Sequence, residues 1–107
     1  MTEYIQVMTT TETREQAEAI ADRMVRERLA ACAQVLGPIS STYWWQGKVE
    51  QAQEFLCLLK SRQDRFADLE AAIRAVHPYQ VPEILAVPVA AGSAAYLSWL
   101  AAELTGP

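Results

Sequence analysis

The amino-acid sequence predicts an α+β domain with elements in the order β-α-β-β-α-β and a further helix at the carboxyl end. Three observations predict it. Apolar side chains between Ala17 and Leu29 recur at helical spacing. Two long runs of strand formers flank Gln46-Gly47, a dipeptide suited to a tight hairpin. A second helical stripe stops at Pro78 and gives way to a short apolar run. The 107 residues fit one domain, residues 1–107.

Tyr4 to Met8 is rich in strand formers and predicts the first strand. Thr13, with Gln16 three residues later, has the spacing of a capping box. The helix that follows places Ala17, Ile20, Ala21, Met24, Val25 and Leu29 on one stripe and its charges elsewhere. Cys32 to Val35 begins an extended segment, interrupted at Gly37-Pro38, and Ile39 to Trp45 continues it. The returning strand runs from Lys48 to about Lys60, with Phe55, Cys57 and Leu59 on one face and Leu56 and Leu58 on the other. Each arm is longer than the five or six residues of an ordinary strand, and two tryptophans stand near the tip. So small a domain has little with which to cover such a ribbon, which predicts a neighbouring subunit packed on it.

Ser61, with Asp64 three residues on, predicts the start of the second helix, and Phe66, Leu69, Ile73 and Val76 form its stripe. Val81 to Val89 reads as the last core strand, with Pro82 and Pro88 indicating bends or an edge position. Ser93 is placed to cap a final helix bearing Tyr96, Leu97, Trp99, Leu100 and Leu104. This order is the split βαβ, ferredoxin-like arrangement, an antiparallel sheet with two helices on one face.

A net charge of −4 and a pI near 4.9 argue against nucleic acid and anionic membrane surfaces, and mildly favour cationic ligands. No stretch approaches the roughly 20 apolar residues of a membrane span. The first residues have neither the basic region nor the apolar run of a secretory signal, so a cytoplasmic location is expected. Cys32 and Cys57 lack metal-type spacing and are expected to be reduced. Phosphate-cradling glycine patterns, HExxH and GxSxG are absent from the sequence, and nothing selects a Ser/His/Asp triad.

Three stretches resemble the divalent-cation tolerance (CutA) family: Arg28-Leu-Ala-Ala-Cys-Ala-Gln-Val35, Tyr43-Trp-Trp-Gln-Gly-Lys-Val-Glu50 and His77-Pro-Tyr-Gln-Val-Pro-Glu-Ile84. Leu58-Leu-Lys60 and Tyr96-Leu-Ser-Trp99 extend the likeness over essentially the whole chain. The resemblance implies a ferredoxin-like homotrimer assembled through the long hairpins. It also implies a non-enzymatic part in tolerance of copper and other divalent metal ions. The architecture is similar to that of the trimeric nitrogen-regulatory signalling proteins, which implies an alternative: a signalling or scaffold trimer binding a small molecule at clefts between subunits.

His77 is the one histidine and so the one imidazole for Cu(II) or another divalent metal. The resemblance implies a metal role at this point, with an adjacent histidine and a first-strand cysteine in some members. Here those positions hold Val76 and Thr9, which implies weak ligation at best. The alternative is a histidine that caps the carbonyls of a helix end. Glu83 or Glu50, supplied by a neighbouring subunit, would be the further ligand. Trp45, Lys48, Glu50, Lys60 and Tyr79 are expected in an inter-subunit pocket, either binding a small anion or metal complex or forming an ion-pair network that fixes register. Cys32 and Cys57 are expected as packed apolar groups, and Trp44, Trp45 and Trp99 as interface and core anchors.

Overall fold

The structure, a computed structural model, describes residues 3–105. The strands β1 (Tyr4–Thr11), β2 (Cys32–Trp45), β3 (Lys48–Arg62) and β4 (Leu85–Pro88) form one sheet in the order β2-β3-β1-β4, antiparallel throughout. The helices are α1 (Arg14–Arg26), α2 (Phe66–Val76) and α3 (Ala94–Thr105). This is the expected α+β, ferredoxin-like arrangement with its added carboxyl-terminal helix.

Side-chain alternation splits the sheet into two unlike faces. Ile5, Val7 and Thr9 of β1 lie opposite Ser61, Leu59 and Cys57 of β3, and all six are buried. Ala17, Ile20 and Met24 of α1 and Leu69 and Ile73 of α2 close over them to make the core. On the far face stand Met8, Leu56 and Leu58, with Leu36, Leu85 and Val87 more than two-fifths exposed. Burial of this second face within the chain is therefore incomplete.

Local chemistry sets the element ends. The Thr13 hydroxyl accepts from Gln16 N while the Gln16 side chain accepts from Thr13 N, the predicted reciprocal box. Gln46 and Gly47 both take positive φ, 51° and 81°, which is the twist that a two-residue hairpin turn requires. The hairpin projects: the radius of gyration is 14.4 Å, against about 13 Å for a compact chain of about this length. Between β2 and β3 the register slips from Leu36 to Ile39, around Gly37-Pro38. Gly37 has φ 153°, and an added Cβ would come within 2.7 Å of the Phe55 ring.

Three boundaries differ from expectation. β1 continues past Met8 to Thr11, because β3 extends far enough to pair with it throughout. β3 itself continues to Arg62, so Ser61 does not cap a helix. Its buried hydroxyl donates to the Leu29 carbonyl at 2.7 Å, and α2 follows a single 3-10 turn at Gln63–Arg65 without a side-chain cap. The last strand is confined to Leu85–Pro88, since β1 offers partners to β4 only from Ile5 to Met8. The edge position inferred from the prolines does hold.

The third helix is tied down by side chains from afar. Arg28 Nη1 donates to both the backbone carbonyl and a carboxylate oxygen of Glu103, each at 2.8 Å, and Arg65 Nη2 donates to Leu104 O. Leu100 and Leu104 are buried, and the Ser93 hydroxyl accepts from Tyr96 N as the predicted cap. Among the described residues no helix is long and apolar enough to cross a membrane.

Candidate functional site

Pairing of β4 with β1 stops at Met8, so beyond that point the outer edge of β1 needs another partner. His77 provides it. Helix α2 ends at Val76, Pro78 forbids its continuation, and the His77 ring is carried inward to 9% exposure. Its Nε2 lies 2.8 Å from the Thr10 carbonyl, and Nδ1 lies 3.1 Å from the Tyr79 amide nitrogen. A carbonyl only accepts and an amide N–H only donates. The ring is therefore the neutral tautomer with its proton on Nε2, and both nitrogens are in use. Burial lowers the His77 pKa, against the opposing pull of the Thr10 carbonyl and the Glu54 charge.

The chain then turns onto the far face of the sheet. The Tyr79 ring sits 4.8 Å from the imidazole, and its hydroxyl donates to Glu54 Oε2 at 2.7 Å. Burial, then Glu54, pushes the Tyr79 hydroxyl far above its ordinary pKa. Glu83, four residues on, is likewise raised, first by burial and then by the charge of Glu54. Glu54 is 8% exposed, a buried carboxylate with a phenol as its donor.

These groups wall an open cleft of about 830 Å³ between the hairpin, the end of β1 and the segment from Tyr79 to Glu83. Tyr43, Trp44, Trp45 and Tyr79 give it aromatic sides, and Glu12, Glu54 and Glu83 supply every charge in its lining. The cleft suits a cation or a polarised aromatic ligand and repels anions.

Of the residues expected in a pocket or as metal ligands, the structure brings Trp45, Tyr79 and Glu83 to this cleft. Lys48 and Glu50 lie across the hairpin from Trp45 and Tyr43 but are exposed to solvent and outside the lining. Lys60 lies at the opposite end of β3, where it donates to the Gln34 side chain at 2.5 Å. None of these three lines the cleft within the chain, so the positive charge that would suit an anion is absent from it. His77 stands behind the wall and not in it. Glu12 and Glu54 were missed. The signal for Glu54 is a carboxylate on the same strand face as Leu56 and Leu58, where an unpaired charge is costly.

A resident transition metal of the copper or zinc type needs three or four converging donors. Among the described residues no cluster of three histidine, cysteine or acidic side chains is placed to hold one. The single imidazole has no free lone pair, and one oxygen of Glu54 is taken by Tyr79. Within one chain the donors do not fit such a metal. Cys57 is fully buried and its thiol is pushed up to about 11 by burial, so it is inert as a thiolate donor. Cys32 lies beside the Tyr96 hydroxyl on the far face of the sheet.

Residues 5–103 match the family model described as CutA1 divalent ion tolerance protein. The chain belongs to this family. A divalent-cation tolerance protein CutA of Thermus thermophilus is 45% identical over 94 residues, covering 88% of this chain and 91% of the relative. One from Archaeoglobus fulgidus is 41% identical over 86 residues, covering 80% of this chain and 83% of the relative. Among solved structures, the divalent cation tolerance protein of Thermus thermophilus superposes with a TM-score of 0.88 at 43% identity, over 91% of this chain and 94% of that one. CutA1 of Shewanella sp. SIB1 gives 0.93 at 30% identity, over 98% of both chains. CutA relatives differ in compartment, since an Arabidopsis thaliana relative is named chloroplastic and the Archaeoglobus fulgidus structure is called periplasmic.

Proposed function

We propose that this chain is a cytoplasmic homotrimer that takes part in divalent-cation tolerance without turning over a substrate. On this reading, copper or another divalent ion is met weakly, by carboxylates of the cleft. Membership of the CutA1 family supports the cation role. The observation that carries self-association is the uncovered far face of the sheet. Leu36, Leu85 and Val87 continue there toward Tyr43 and Trp45 of the projecting hairpin, 42% and 39% exposed, and on the ribbon's other side Trp44 and Val49 are exposed as well. Apolar surface of that extent calls for cover, and a second and third copy supply it symmetrically.

Light scattering on the purified protein is expected to give three times the 11.9 kDa chain mass. Calorimetric titration of metal-free trimer with Cu(II) and Zn(II) is expected to show weak, saturable heat, reduced in a Glu54→Gln, Glu83→Gln double variant. A monomeric chain, or binding untouched by loss of both carboxylates, overturns the reading.

A second reading is favoured by the cleft itself. Its volume, about 830 Å³, lies in the range of small-molecule sites, and its aromatic sides exceed what a bare ion needs. The chain would then be a sensor or scaffold trimer that holds an organic cation between subunits. Saturable binding of such a cation, with no response to metal, would place this reading first.

A further inference from the structure

We infer that His77 is not a cation ligand in this chain but a latch that fastens the segment from His77 to Ile84 against the edge of β1. This rests on the divalent-cation reading above and concerns which atoms that cation is denied. The latch has two bolts. Nε2–H donates to Thr10 O, a carbonyl 67 positions away in sequence, at the stretch of edge that β4 leaves unpaired. Nδ1 receives the Tyr79 amide, which turns the chain toward Glu54. The ring is 9% exposed, so water cannot readily replace either partner.

A metal arriving at Nε2 must displace the proton and leave the Thr10 carbonyl unpaired in a buried place. A metal arriving at Nδ1 must displace the Tyr79 amide and release the wall of the cleft. Either route gives up a buried hydrogen bond, worth about tenfold or more in apparent affinity. The nearest carboxylate, Glu54, already holds the Tyr79 hydroxyl and brings no free fork to share a metal with the ring. By linkage, a cation that did seize the imidazole would favour the unlatched state and loosen the segment it is supposed to order. The purpose of the ring is to set Tyr79 and Glu83 where the cleft needs them.

The chain's single histidine makes the test direct. Uniformly nitrogen-15-labelled, full-length, metal-free protein is examined at about pH 8 by long-range proton–nitrogen correlation of the imidazole, then given one equivalent of Zn(II) per chain. The expected spectrum has a protonated Nε2 and a bare Nδ1, and zinc moves neither. A proton on Nδ1, or a zinc-induced shift of either ring nitrogen, overturns the latch. Calorimetry on the same sample separates the two ideas: heat with an unmoved ring supports both, whereas absence of heat sinks the cation reading and leaves the tautomer to decide the latch. His77→Ala removes both bolts and is expected to shift the backbone amide signals of Tyr79 and Glu83 in the metal-free protein. Signals of both residues left in place would overturn the latch. Should that variant not fold, the spectrum of the unmodified chain decides alone.

Discussion

The hydroxyl of Tyr79 and the carboxylate of Glu54, 25 residues apart, meet at 2.7 Å on the side of the sheet away from α1 and α2. The bond fastens the segment after α2 to the hairpin. Tyr79→Phe removes the donor and leaves a carboxylate of 8% exposure without it. A loss of about 1–3 kcal/mol is expected, read as a lowered urea midpoint at matched chain concentration. The Tyr79→Phe, Glu54→Gln double variant is expected to recover part of it, since the charge is gone.

Thr9 presents the reverse case. Among the described residues its hydroxyl is the one buried side-chain oxygen without a hydrogen-bond partner. Thr9→Val keeps the shape and removes the unsatisfied group, so a gain of about 1 kcal/mol is expected. Thermal unfolding checks the sign. A loss would mean that the hydroxyl has a partner in solution.

Gly37 is held at positive φ with Phe55 and the Glu54 carbonyl crowding the place of a Cβ. Its own carbonyl accepts from Arg14 Nη2 at 3.0 Å, which joins the start of α1 to the bend in β2. Gly37→Ala combines strain with a clash and is expected to cost about 2 kcal/mol. Gly47 also has positive φ but meets nothing within 4 Å, so Gly47→Ala is expected to cost less in the same denaturation measurement.

Stability should fall as the solution is acidified through the histidine range. Burial holds the folded His77 below its ordinary 6.5, so the unfolded chain binds a proton that the native chain refuses. Stability is then lost as pH drops from about 6.5 toward the lowered folded value. Glu83 acts with opposite sign, because its folded carboxyl is raised above the ordinary 4.5 and the native state gains from binding its proton. Urea midpoints between about pH 8 and 5 are expected to decline in the unmodified chain and to decline less in His77→Gln. A midpoint that rises through that range would refute the histidine assignment.

Much of the fold could be read along the chain because its determinants are local. The Thr13–Gln16 box and the Gln46-Gly47 turn each lie within a few residues and formed as expected. Ser61 was misread for the opposite reason. As a serine three residues before an acid it resembles a helix cap, yet the Leu29 carbonyl, 32 residues away, claims its hydroxyl. Val81 has the composition of a strand but lies beyond any β1 partner. The site was less legible still. Trp45, Tyr79 and Glu83 were within reach of the family resemblance, whereas the buried role of Glu54 depends on a tyrosine that sequence separation hides. The tautomer of His77 is fixed by Thr10, and no pattern around residue 77 contains that fact.

Strand β2 occupies one margin of the sheet, and its 14 residues from Cys32 to Trp45 contain no lysine, arginine, aspartate or glutamate. Natural margins are usually guarded by charge, and here Pro38 is the lone sentinel. A freshly synthesised chain therefore leaves the ribosome with an open ladder of backbone donors and acceptors ending in two tryptophans. Its fate is a race between orderly capture of that margin and indiscriminate stacking with other newborn chains. Dilution, slow synthesis or a truncated hairpin would each tilt that race, so yield in the soluble fraction should track expression conditions more closely than the stability of the finished fold does.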